Sequence, residues 1–123
     1  MAGWTDDELA RIGAEDELDL ASERDDGTLR DPVTMWVVRA GDDLYVRPIR
    51  GRDGWFRGTR TRHEGHIRSA GIDKDVTFAD ADPAVADDLD AAYRAKYGEY
   101  PPNILDTVLS AQARAAAIRL VPR

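Results

Sequence analysis

The chain contains no cysteine. That excludes a disulfide framework, a thiolate zinc site and a cysteine nucleophile. Lysine is almost missing too, with Lys74 and Lys96 the only two, so most positive charge is carried by arginine. No apolar run approaches the roughly 20 residues that a membrane-spanning helix needs. The opening stretch Met1-Ala2-Gly3-Trp4-Thr5-Asp6-Asp7-Glu8 is acidic and has neither the basic head nor the apolar middle of a secretory signal. A cytoplasmic protein is therefore expected. What remains is 123 residues, 42% hydrophobic and 33% charged, a balance that excludes a disordered chain. One domain spanning residues 1–123 is expected from that length.

Charge is segregated along the chain. The formal net charge is −7, yet residues 45–68 hold seven arginines against Asp53 and Glu64. Residues 1–31 carry eleven acids against three arginines, and residues 69–106 nine acids against Lys74, Arg94 and Lys96. An acidic molecule is repelled by a polyanion at long range, so no nucleic-acid partner is expected. A local arginine patch suits a small anionic ligand, because each guanidinium presents a planar fork to phosphate or carboxylate. Ion pairing with the acidic segments across the fold is the other use for the same arginines.

Local patterns predict the elements. Thr5-Asp6-Asp7-Glu8 is a capping box, with Trp4 and Leu9 spaced as its hydrophobic staple, so a helix is predicted over residues 5–13. Alternation predicts a strand over Glu17–Ser22, and Asp25-Asp26-Gly27-Thr28 is a turn. Residues 34–40 are predicted as one strand, turning at Gly41-Asp42-Asp43 into a second strand over 44–49. Residues 50–54 form a loop, and 55–62 a short helix. A second hairpin is predicted over 66–70 and 74–78, turning at Gly71-Ile72-Asp73. Asp82-Pro83 opens a helix whose stripe of Val85, Leu89, Ala92, Tyr93 and Tyr97 faces the core, and Gly98 stops it. Asn103 is placed to cap another helix, and residues 116–121 close the chain as a strand. These elements make an α+β domain of about six mostly antiparallel strands, closed or half-closed.

Most motifs carry no chemistry. His63-Glu64-Gly65-His66 falls one residue short of the zincin signature, and Gly65 interrupts the helical turn that two shared ligands would need, so no metal is expected. Tyr93-Arg94-Ala95-Lys96 is one residue too short for the tyrosine–lysine pair of short-chain dehydrogenases, and there is no glycine-rich dinucleotide turn. Tyr93 is expected in the core. No serine sits in a Gly-x-Ser-x-Gly elbow, so no catalytic side chain is assigned.

The run from Tyr45 to Arg57 differs. Alternation puts Tyr45, Arg47 and Ile49 on one face. The glycines let backbone amides approach an anion, Arg50, Arg52 and Arg57 supply charge, and Trp55 and Phe56 offer flat apolar surface. Phosphate plus ring describes a nucleotide or flavin-like ligand. A twisted hairpin with Trp55 and Phe56 in the core is the structural alternative.

Trp36-Val37-Val38-Arg39-Ala40-Gly41-Asp42-Asp43-Leu44-Tyr45-Val46-Arg47, then Gly51, Trp55-Phe56-Arg57 and Gly71, is similar to a bacterial family catalogued as domain of unknown function 2255. Residues 92–98 and the closing Arg119-Leu120-Val121-Pro122-Arg123 fit it as well. More distantly, the order of elements resembles the deazaflavin-dependent nitroreductases of the flavin-binding split-barrel group. That resemblance implies a small six-stranded split β-barrel with flanking helices, forming a homodimer that binds FMN or a deazaflavin as an oxidoreductase. Arg47, Arg50, Arg52 and Arg57 would hold the phosphate, Gly51 would donate amides, and Trp55 or Phe56 would contact the ring. The paired glycines of the nitroreductase loop are split here by Arg52 and Asp53, and the upstream Gly-Arg-x-Ser/Thr-Gly motif is absent. Those departures imply the alternative, a cofactor-less binding or interaction module of the same fold.

Overall fold

The computed structural model describes residues 3–47 and 62–123. Thr5 caps the first helix, α1 (Asp6–Ala14): its hydroxyl accepts from the Glu8 amide at 3.1 Å, and the Glu8 carboxylate accepts from the Thr5 amide at 2.9 Å. This is the predicted capping box. Among the described residues seven strands follow, β1 (Glu17–Ser22), β2 (Val33–Trp36), β3 (Val38–Ala40), β4 (Asp43–Val46), β5 (Glu64–Ser69), β6 (Ile72–Asp80) and β7 (Ile118–Pro122). Between β6 and β7 lie a 3-10 turn (Pro83–Val85) and helices α2 (Ala86–Tyr97), α3 (Pro102–Leu109) and α4 (Ala111–Ala115).

All pairings are antiparallel, in the order β2-β1-β5-β6-β7-β4-β3. β2 and β3 therefore form opposite edges of one sheet, although only Val37 separates them in the chain. The sheet can satisfy that connection only by curling until its edges meet, which makes a nearly closed barrel with one seam at Val37. The expected count of about six strands becomes seven for this reason. The predicted strand over 34–40 is divided at Val37, where its partner changes from β1 to β4.

Alternation sorts side chains between two cores. Leu18, Leu20, Leu44, Val46, Ile67, Val76, Phe78, Ile118 and Leu120 join Leu9 and Ile12 of α1 and the Trp4 indole in one buried cluster. Trp4 Nε1 donates to the Leu120 carbonyl at 2.9 Å, which ties the chain start to β7. Val38 and Tyr45 point the other way and form a second cluster with Leu89, Tyr93, Tyr97, Val108 and Ala117. Both faces of β4 are thus covered, which is why Leu44-Tyr45-Val46 reads as a continuous apolar run, whereas Arg39 of β3 stays exposed. Tyr93 is fully buried there, as expected.

Other boundaries shift for local reasons. The second hairpin turns at Ala70-Gly71, not at 71–73, because both residues take positive φ (53° and 79°), the geometry of a two-residue turn matching strand twist. Arg11 Nη2 donates to the Ala70 carbonyl at 2.7 Å, bracing the strained residue. Asp82 caps as predicted, accepting from the Ala84 amide at 2.9 Å. Asn103 does not cap α3; the helix starts at Pro102, whose missing amide proton costs nothing at a first position. Ser110 caps the unanticipated α4. The predicted helix over 55–62 falls largely outside the described residues.

Candidate functional site

The alternation that sends Tyr45 outward also sends Arg47 outward, and it emerges beneath α2. Its side chain is fully buried. Nη1 donates to Asp90 Oδ1 at 2.5 Å and to the Val108 carbonyl at 2.9 Å, and Nη2 to the Ala86 carbonyl at 2.9 Å. The guanidinium carbon lies 5.4 Å from the centre of the Tyr93 ring, whose phenol is held well above its ordinary pKa by burial. The second oxygen of Asp90 accepts from Arg114, and Arg114 also reaches Asp87 at 3.0 Å. An Arg–Asp–Arg network therefore joins the end of β4 to α2, α3 and α4. Arg47 was expected to hold a phosphate; instead the fold engages its charge internally, because Asp90 is the carboxylate buried beside it.

The seam is the second polar assembly. Val37 belongs to neither β2 nor β3, so its backbone groups have no ladder partner. Tyr97 of α2 supplies one: the phenol accepts from the Val37 amide at 3.2 Å, and its proton lies within reach of the Asp16 (2.6 Å) and Val37 (3.0 Å) carbonyls. Burial pushes this phenol well above its ordinary pKa. Lys96 Nζ donates to the same Val37 carbonyl at 2.6 Å. The Trp36 ring stacks on Tyr97, with centroids 4.0 Å apart and planes 5° from parallel, and Tyr100 meets Trp36 edge-on. Tyr97→Phe keeps the stack and removes the hydroxyl, leaving the buried Val37 amide without its partner while the Val37 carbonyl keeps Lys96. A loss of about 1–3 kcal/mol is expected in urea unfolding, with the far-ultraviolet spectrum unchanged.

The remaining predicted site residues, Arg50, Gly51, Arg52, Trp55, Phe56 and Arg57, lie outside the described residues. Two described hollows bear on ligand binding. One of about 510 Å³ lies between the β3–β4 turn and α2, but Asp42, Asp43 and Asp88 on its rim oppose a phosphate. The other, about 220 Å³, is lined by Ala21, Leu29 and Pro32 and by Arg30, His66 and Arg68, with one carboxylate, Asp19, which accepts a hydrogen bond from Thr34. Arg30 Nε is buried there without a hydrogen-bond partner, and among the described residues no carboxylate pairs with Arg30. Arg30 favours an anion there, but Asp19 opposes one, Arg68 and His66 are engaged by Asp73 and Asp75, and the volume is below the roughly 300–1,000 Å³ of most ligand sites. His66 is held by hydrogen bonds to Asp75 at 2.8 Å and to Asp73. Among the described residues no group of three His, Asp or Glu side chains is positioned to hold a metal ion.

A family described as "Uncharacterized protein conserved in bacteria (DUF2255)" matches residues 8–120. The chain belongs to DUF2255. No curated protein matches this DUF2255 chain in sequence. Its fold is similar to that of an F420 reductase (TM-score 0.53, 17% identity, 93% of this chain and 90% of that one). It is also similar to a conserved hypothetical protein from Mycobacterium tuberculosis (TM-score 0.62, 10% identity, 96% and 79%). A third likeness is to an FAD and heme binding protein from Mycobacterium smegmatis (TM-score 0.54, 15% identity, 95% and 65%). At these identities the likeness establishes the split-barrel architecture. No described helix is long and apolar enough to cross a membrane.

Sequence reasoning missed Asp90 and Arg114 as partners of Arg47, and Tyr97 and Lys96 as ligands of the seam. For Tyr97 a signal existed, since its place in the apolar stripe of α2 put it against the barrel. For Asp90 there was none, because it is one of 24 acids in the chain.

Proposed function

We propose that this DUF2255 chain binds an FMN- or deazaflavin-type cofactor and acts, as a homodimer, as a small oxidoreductase. Arg50, Arg52 and Arg57 would hold the phosphate, Gly51 would present backbone amides, and Trp55 or Phe56 would cover the ring. Arg47 serves in this reading as the anchor at the end of β4, immediately before the segment that carries those residues. The bound cofactor would supply the electron or hydride chemistry, with the protein contributing position and charge. The observation that carries the proposal is the barrel shared with a neighbour titled F420 reductase, along 90% of that chain, and with one titled FAD and heme binding protein.

A cofactor-less interaction module is the second reading. It is favoured by the internal use of Arg47, which removes one of four expected phosphate contacts. Three charged hydrogen bonds at about 1.5–3 kcal/mol each supply about 4.5–9 kcal/mol, so micromolar affinity, at about 8 kcal/mol, also draws on apolar cover of the ring by Trp55 or Phe56. The experiment is fluorescence titration of the purified protein with FMN, FAD and F420, repeated with Arg50→Ala and Arg52→Ala. The expected result is micromolar binding of one cofactor, weakened about tenfold or more by each substitution. Absence of binding by the parent chain, or unchanged affinity in both variants, overturns the proposal and leaves the interaction module.

A further inference from the structure

The hollow between the β3–β4 turn and α2, at about 510 Å³, has the volume of a small-molecule site. Asp42 and Asp43 line it from the turn and Asp88 from the helix, while Val85 and Ala91 supply apolar surface. Turns and helix starts favour aspartate for local reasons, so the acids alone would indicate nothing. Tyr45 adds an independent observation. Its side chain lies on the α2 face of β4 and lines the same hollow, and the residue is only 5% exposed. Its hydroxyl nevertheless has no hydrogen-bond partner among the described residues. Burial, and after it the Asp43 carboxylate, hold this phenol above its ordinary pKa, so it stays protonated. A polar group enclosed to that degree ordinarily finds a partner, and here the space beside it is open to a guest.

Charge decides what kind of guest. Asp42 and Asp88 have no ion-pair partner among the described residues, and Arg119 reaches Asp43 only at 3.9 Å. Arg39 is the cation of the lining, and its Nε donates to the Gly41 carbonyl at 2.9 Å. Asp82 lies near enough to Tyr45 to add to the negative field, which Arg119 partly offsets. The balance favours a cation. Among the described residues no three acids or histidines converge to hold a metal ion, and the carboxylates stand on two different elements. A single ion cannot satisfy both walls at once. A short chain with a charge at each end can.

We propose that this hollow binds a small aliphatic diamine, with one ammonium at Asp42 and Asp43 and the other at Asp88. The methylenes between them cover Val85 and Ala91, and the Tyr45 hydroxyl accepts a hydrogen bond from an ammonium. The site is separate from the residues assigned to the cofactor, and neither reading depends on the other.

Backbone amide resonances of the folded full-length chain are followed while putrescine is added at fixed ionic strength, with n-butylamine and Mg²⁺ titrated in parallel. Putrescine should shift the amides of Gly41, Asp42, Asp88 and Ala91, with a dissociation constant of about 1 mM or below. Butylamine should bind at least about threefold more weakly, and so should putrescine to Asp42→Asn or Asp88→Asn, the scale of one solvent-facing charge pair. Tyr45→Phe keeps the ring and should also weaken binding. Asp106→Asn removes an exposed charge of α3 outside the hollow and should leave the affinity unchanged. Absence of shifts at these amides, or equal weakening by Asp106→Asn, would overturn the assignment. So would unchanged affinity in both Asp88→Asn and Tyr45→Phe, or Mg²⁺ binding as tightly at the same amides.

Discussion

Replacing Asp90 with alanine is expected to destabilise the protein by about 3–5 kcal/mol, the usual cost of stranding a buried charge. The stranded charge is Arg47, whose side chain is fully enclosed and whose other partners are two backbone carbonyls. Those carbonyls cannot neutralise it. Arg114, the second cation on Asp90, is partly exposed and can turn to water or to Asp87, so it contributes little to the loss. The paired substitution Arg47→Leu/Asp90→Leu should recover most of the stability, because both charges leave together and an apolar pair of similar volume takes their place. Urea unfolding of the two single variants and the double variant measures the coupling directly. Additive losses would show that Arg47 finds adequate solvation without Asp90.

Phe78→Ala should cost about 3–5 kcal/mol, the range for removing a large ring from a packed core. The ring is almost wholly buried and spans the bare backbone of Gly65 on the neighbouring strand. A Cβ at Gly65 would sit 2.7 Å from the ring and 2.3 Å from the Ala21 carbonyl oxygen. Glycine is therefore required where β5 passes the Ala21 carbonyl of β1 and the Phe78 ring of β6, and Phe78 fills the space that glycine leaves. Truncation opens a void between strands that backbone contacts hold apart, so collapse cannot recover the lost packing. Phe78→Leu should lose distinctly less, because it retains most of the volume. Equilibrium unfolding checks both, and equal stability of the alanine and wild-type chains would refute the packing argument.

His63-Glu64-Gly65-His66 gains a physical account from this packing. The motif looked like a broken metal signature, and Gly65 was the residue that broke it. In the structure Gly65 lies against the Ala21 carbonyl and the Phe78 ring, while His66 projects toward Asp73 and Asp75. The glycine answers a strand-packing demand. The His66 ring beside Asp75 holds that carboxyl below its usual range.

Several elements could be read from the chain alone because their signals act over a few residues. The Thr5 capping box, the Asp82 cap with Pro83, the alternation of Glu17–Ser22 and the apolar stripe of α2 each depend on neighbours within one or two turns. The outward face shared by Tyr45 and Arg47 was legible in the same way, from the two-residue strand period alone. What Arg47 meets on that face was not, because the choice among 24 acids is made by burial, and burial follows from how α2 packs on β4. The division at Val37 was hidden for a related reason: residues 34–40 carry uniform strand propensity, and only closure of the sheet makes one residue leave both ladders. Local chemistry thus specified the pieces and their faces. Ring closure and the pairing of distant charges belong to the folded molecule, since both depend on groups that meet across 43 or more positions of chain.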